Sequence, residues 1–164
     1  MVRQSLLDKI ELLLSLKVEY LDYEDLSVTF SANRGASIEE LGTMLRKTNL
    51  VFPDVYLDFL KKINGCELFK FKELGGFEFL GTNEIQKENS FQQESYMEDW
   101  DKRLTVFCNL ICDGDFLSFK SYDNGTYEII DCYHDDLPKN WNVISNSFED
   151  FLERLIDLKG KRYW

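Results

Sequence analysis

Histidine occurs once in this chain, at His134, and proline twice, at Pro53 and Pro138. The scarcity of histidine removes the usual general base. Any acid–base or triad mechanism would have to run through one imidazole, set in an aspartate-rich loop as solvated side chains are. No Gly-x-Ser-x-Gly, phosphate-cradling glycine loop or His-Glu-x-x-His takes its place. With two prolines and nine glycines in 164 residues, little of the chain is barred from regular structure. No apolar run is long enough to cross a bilayer. The opening Met1-Val2-Arg3-Gln4 begins an amphipathic pattern rather than an export signal, so a cytoplasmic location is expected.

Cysteine is sparse as well. Cys66, Cys108, Cys112 and Cys132 each sit in or beside an apolar run, the setting of buried, reduced thiols. A structural zinc site needs two tight ligand pairs in loops, whereas Cys108-x3-Cys112 falls on an expected strand and Cys132-x-His134 holds the single imidazole. A calcium loop starting at Asp113 would place Leu117 and Ser118 where an oxygen ligand and a glycine are required. Neither metal nor cofactor is expected, and metal-dependent hydrolysis is the weakest reading.

An excess of basic charge is also missing, and the formal net charge is -11. Between Thr82 and Asp101 six acids face Lys87 alone, and between Asp113 and Asp136 seven face Lys120 alone. These segments carry the whole imbalance, and the remaining sequence is neutral. Such a distribution repels phosphate, which argues against nucleic acid as a ligand. It suits either solubility or the steering of a basic protein partner.

What the chain does have is core material: 13 Phe, 8 Tyr and 3 Trp beside ordinary aliphatic content. At this length one domain spanning residues 1–164 can bury roughly 70% of the surface its unfolded chain exposes. Apolar spacing predicts a first helix over Val2 to Lys17, with Leu6, Ile10, Leu13 and Leu14 on one stripe. A second begins at the capping box Ser37-Ile38-Glu39-Glu40, with Leu41, Met44 and Leu45 inward. A third starts at Pro53, carries Tyr56, Phe59, Leu60 and Ile63, and stops at Asn64-Gly65. The last runs from the cap Ser147 through Phe148, Phe151, Leu152, Leu155 and Ile156 to Gly160.

Between the third and last helices the period becomes strand-like over Glu67–Phe71, Phe77–Leu80, Leu104–Ile111, Phe116–Ser121, Thr126–Cys132 and Val143–Ser145. Asp113-Gly114 and Asp123-Asn124-Gly125 are tight turns, which join antiparallel neighbours. The expected fold is α+β: a central antiparallel meander of about six strands, with helices N-terminal to it on one face and one closing helix. Leu26, Val28 and Phe30 alternate as an added edge strand would. The polar segment from Asn83 to Asp101 has no clean period and reads as a long loop or irregular helix.

The order of these pieces resembles the SUKH superfamily of Smi/Knr-like proteins. Phe52-Pro53-Asp54-Val55-Tyr56-Leu57-Asp58-Phe59-Leu60, running on to Asn64-Gly65, is similar to that family's Pro-x-x-Tyr-x-x-Phe-Leu helix and its Asn-Gly stop. Phe79-Leu80-Gly81-Thr82 resembles the strand after that helix. Asp113-Gly114-Asp115-Phe116-Leu117-Ser118-Phe119 resembles the Gly-Asp-aromatic hairpin strand, and Ser147-Phe148-Glu149-Asp150-Phe151-Leu152 the closing helix. The chain departs in a leaner turn, Cys112-Asp113-Gly114-Asp115, and in the long segment over 82–101.

The resemblance implies function without chemistry. Members are mostly bacterial immunity proteins that bind and neutralise toxins, often nucleases, and others are fungal regulators of cell-wall synthesis. It implies two readings for this chain: an immunity protein for a basic toxin domain, or a regulatory or scaffolding module. The expected contact set is Glu94, Tyr96, Glu98, Asp99, Trp100, Asp101, Asp113, Asp115, Tyr133, Asp135 and Asp136, on a domain that is monomeric when free. Trp141, on a strand, fits either that surface or the core.

Overall fold

Apolar residues at helical spacing place α1 at Gln4–Leu16, where Leu6, Leu7, Ile10 and Leu13 are buried and Leu14 is only partly so. The structure, a computed structural model, describes residues 1–21 and 26–164. Two strands come next, β1 at Val18–Leu21 and β2 at Leu26–Ala32. The second helix, α2 at Ile38–Lys47, opens with both halves of its capping box: Ser37 Oγ accepts from Glu40 N, and Glu40 from Ser37 N. Hydrogen bonds from Arg34, then from Ser37, hold the Glu40 carboxyl down at about 2. Leu45 turns out 42% exposed, because the inward stripe of so short a helix ends with Leu41 and Met44.

Helix α3, Asp54–Leu60, is shorter than its sequence pattern. Ile63 is buried, but in the turn beyond the helix, where its amide still donates to Phe59 O. The remaining elements are β3 (Cys66–Phe71), β4 (Gly75–Phe79), α4 (Ile85–Tyr96), β5 (Leu104–Leu110), β6 (Phe116–Ser121), β7 (Tyr127–Cys132), β8 (Asn142–Ser145) and α5 (Phe148–Asp157). Ser147 caps α5 by accepting from Asp150 N.

Among the described residues the sheet has eight strands in sequence order, each antiparallel to the next. The six strands read from the sequence are β3 to β8, so the expected number is too low by β1 and β2. β2 is no edge strand; it pairs with β1 on one side and β3 on the other. β1 escaped notice because four residues, with Val18 55% exposed, show no alternation.

The helices do not all share one face. Tyr56 of α3 packs edge-on to Phe107, Phe119 and Phe148, with centroids 5.6, 5.1 and 5.4 Å away, so α3 and α5 cover the face that bears Phe119. Along β6 successive side chains alternate. Phe116, three residues before Phe119, therefore points to the other face, where it meets Tyr96 at the end of α4. The segment expected to be a loop or irregular helix is a regular helix that covers this second face, succeeded by a 3-10 turn over Met97–Asp99.

Candidate partner-binding surface

The motif residues that gave the family resemblance are occupied in holding the fold. Tyr56 Oη donates to Leu80 O at 2.8 Å and approaches Phe107 O at 3.3 Å, tying α3 to β4 and β5. Asn64 is buried and bonds twice to Thr82, its Oδ1 accepting from the amide at 2.8 Å and its Nδ2 donating to the hydroxyl at 3.0 Å. Between these bonds two glycines meet. Gly65 has φ 88°, and a Cβ there would lie 2.8 Å from Gly81 N; one on Gly81 would lie 2.6 Å from Asn64 O. The Tyr56 and Asn64 side chains are both buried and their bonds run inward to the protein's own groups, so their visible role is in the fold.

Helix α4 is docked by polar groups. β4 pairs with β5 along Phe77–Phe79, opposite Leu110 to Cys108, and Leu80 N adds a bond to Phe107 O, so Val106 lies just beyond that ladder. Asn89 supplies what the strand would have given: its Oδ1 accepts from Val106 N at 2.7 Å and its Nδ2 donates to Val106 O at 3.0 Å. The inward stripe is therefore Ile85, Asn89 and Gln92, with Tyr96 partly buried one turn on. Two outward stripes flank it, Glu84, half-buried Glu88 and Phe91 on one side, and Gln86, Ser90 and Gln93 on the other.

The end of α4 brings the two acidic segments together. Tyr96 and Trp141 are edge-on at 5.0 Å, Trp100 stacks with Phe116 at 6.4 Å, and all four rings form one cluster. Trp141 Nε1 donates to Tyr133 O at 2.9 Å, and Tyr96 Oη to His134 O at 3.3 Å. Tyr96, Trp100 and Trp141 are thus half-buried struts, whereas Tyr133 is 48% exposed and donates to Asp135.

The expected acids divide by what they bond. Asp115 is 5% exposed; it accepts from His134 N at 3.1 Å, lies 2.7 Å from His134 Nδ1 and accepts from Arg162 at 3.1 Å. Burial works to raise its carboxyl, but the His134 and Arg162 hydrogen bonds outweigh that and hold it below the ordinary range. Asp101 is bound by Arg103 and Lys120, and the Arg103 hydrogen bond above all keeps it far below that range. Asp136 caps the turn at Leu137 and Asn140, each at 2.7 Å, and Asp113 reaches Arg162 at 3.3 Å. Glu94, Glu98 and Asp99 are exposed with no ion-pair partner among the described residues, and Asp135 is exposed beside His134 Nε2. Of the eleven expected contact residues, Tyr96 and Trp100 brace the ring cluster, and Asp115, Asp101 and Asp136 bond groups on neighbouring turns and strands.

A further acidic groove lies over the open part of the second face. Glu67 and Glu78 stand directly opposite on β3 and β4, and the groove of about 390 Å³ continues to Glu73, Glu88 and Phe91, the last 60% exposed. Like charges at facing positions are unfavourable. Here Lys70 and Ser31 bond Glu67, while Asn109 bonds Glu78. The alternation Cys66-Glu67-Leu68 and Phe77-Glu78-Phe79 marks both as outward, but their meeting depends on strand register. Among the described residues no group of three or more His, Cys, Asp or Glu could hold a metal ion, and no helix is long and apolar enough to cross a membrane.

The chain is 29% identical over 141 residues to the uncharacterized protein YnaB of Bacillus subtilis (strain 168), covering 83% of this chain and 87% of that protein. The profile of the SMI1/KNR4 family (SUKH-1) matches residues 35–154, which run from just before the Ser37 cap into α5 and take in the Tyr56, Asn64–Thr82 and Asp115 contacts. A match over most of the chain, on residues whose bonds build the fold, establishes that this protein belongs to the SMI1/KNR4 family (SUKH-1).

Proposed function

We propose that this domain is a non-catalytic immunity protein, which binds a basic toxin domain inside the cell that makes it and neutralises it by occupying its surface. One observation carries the reading. The two acidic segments converge where Tyr96 meets His134, Glu94, Glu98, Asp99, Asp113 and Asp135 remain exposed on them, and Tyr133 is exposed beside Asp135. Charges so placed raise the rate of encounter with a basic partner by about 10- to 1000-fold, an effect that fades as salt shortens the Debye length to about 8 Å. Tyr133 supplies a rigid aromatic contact among them.

The test needs the partner, recovered on the immobilised domain from the native cell and then produced pure. Association rates are measured across a salt series for the wild type and for Glu94→Gln, Glu98→Gln, Asp99→Asn and Asp135→Asn combined. The variant should unfold at nearly the same temperature and associate about tenfold more slowly at low salt. Rates that are flat with salt and equal in the two proteins would make the acids a solubility device and refute the reading.

A further inference from the structure

Helix α4 separates two kinds of surface. On the side of Glu84, Glu88 and Phe91 lies the acidic groove. On the side of Gln86, Ser90 and Gln93 lies a cleft of about 380 Å³, closed by Lys47 at the end of α2, by Thr48 to Leu50 after it, and by Trp100 and Lys102. That volume falls within the range of sites that hold small ligands or short peptide segments. Its lining contains no carboxylate, in a chain of net charge -11, yet it contains Lys47 and Lys102. Neither lysine has an ion-pair partner among the described residues. Lys47 in the last turn of α2 also complements that helix dipole, but Lys102 lies beyond any helix end.

We propose that this cleft binds a short acidic peptide segment. Lys47 and Lys102 hold its carboxylates, and the uncharged stripe Gln86, Ser90 and Gln93 bonds its main chain. Side-chain amides offer both a donor and an acceptor, which matches the alternation of N–H and C=O along a peptide. A phosphate needs donors alone, and a longer polyanion would be repelled by the surrounding charge. The site lies on the flank of α4 opposite the acidic groove and stands or falls independently of the toxin-binding reading.

The probe is the capped tetrapeptide acetyl-Ala-Glu-Glu-Ala-amide, titrated into the full chain at physiological salt and monitored by amide NMR. The Trp100 indole N–H, buried and without an acceptor among the described residues, reports from the cleft wall. Saturable shifts should appear around residues 47–50, 86–93 and the Trp100 indole. Affinity should fall by about tenfold or more for the Gln-Gln peptide, and equally in Lys47→Gln/Lys102→Gln, which should unfold at the wild-type temperature. The proposal is overturned by absence of shifts, by shifts centred elsewhere, by equal binding of the Gln-Gln peptide, or by inorganic phosphate competing at the same concentration.

Discussion

Two groups titrate against each other where β6 meets the loop after β7: Asp115, held low, and His134, raised chiefly by its hydrogen bond to Asp115. The raised imidazole contributes stability that is complete below about 6.5 and is lost as pH rises through its folded value. The depressed carboxyl contributes stability that is present above about 3.8 and is lost as pH falls through its own. The pair is therefore at full strength between those limits. Because His134 is the single imidazole, one NMR titration reads it, with a midpoint expected above 6.5 that returns toward 6.5 in Asp115→Asn. The gap in urea midpoint between wild type and that variant should be widest between about pH 4 and 6.5 and narrow above. The thiols give a second prediction at this scale. Burial pushes Cys66, Cys108 and Cys132 upward, while Cys112 is exposed in the β5–β6 turn, against the expectation that all four are buried. Alkylation of the native protein should add one label, at Cys112, and of the denatured protein four. A third concerns Asn64, whose replacement by Ala strands the Thr82 amide and should cost about 1–3 kcal/mol in denaturant unfolding.

At the scale of elements, the features legible in the sequence are those that obey local rules. The Ser37 capping box, the Tyr56 stripe, the Asp113-Gly114 turn and the Ser147 cap each depend on residues within one or two turns of each other, and each stands where expected. Helix α4 was illegible for a physical reason. Two of the residues it buries are Asn89 and Gln92, so no apolar period marks its inward face. Its place is set by Val106, 17 residues on, whose main chain bonds Asn89 because β4 has ended. Asn89→Ala should accordingly destabilise the domain by about 1–3 kcal/mol, leaving the Val106 N–H without its acceptor. Hydrogen exchange should quicken at Val106 and along α4 before the rest of β5. Uniform quickening over the whole sheet would mean that α4 is no more than another part of the core.

For the molecule as a whole, the net charge was legible as composition but its usable part was not. Asp101, Asp115 and Asp136 count equally with Glu94 or Asp99 in the sequence, yet their carboxylates are spent on Lys120, Arg162, His134 and Asn140. Lys120, His134 and Arg162 are remote in the chain from the acids they bond, and only the sheet register and the path of the last residues bring them close, whereas Arg103 and Asn140 are local. Glu67 and Glu78 came together the same way, across a hairpin whose register no local pattern specifies. Aromatic side chains carry a second role that the sequence did not show: Tyr96, Trp100 and Trp141 form the half-buried cluster that fixes where the acids stand. Truncating Trp141 to Ala should therefore disturb partner association through a displaced loop, and it should lower thermal stability as well, which removal of the exposed acids should not.

The first and last helices are joined across nearly the full sequence. Arg3 bonds Asp150 at 2.8 Å, and Lys9 reaches Glu153 and Asp157 at 2.9 and 2.7 Å, with Phe148, Phe151, Leu152, Leu155 and Ile156 buried behind them. A ribosome makes α1 first and α5 last. Until α5 emerges, Leu6, Leu7, Ile10 and Leu13 have β2 to rest on but lack the neighbour that closes over them. Until α5 has emerged and docked, the nascent chain thus carries a sticky, incompletely covered helix, and the docking of α5 is the event that seals it. Products stalled or clipped before α5 should be the forms that chaperones hold and proteases clear.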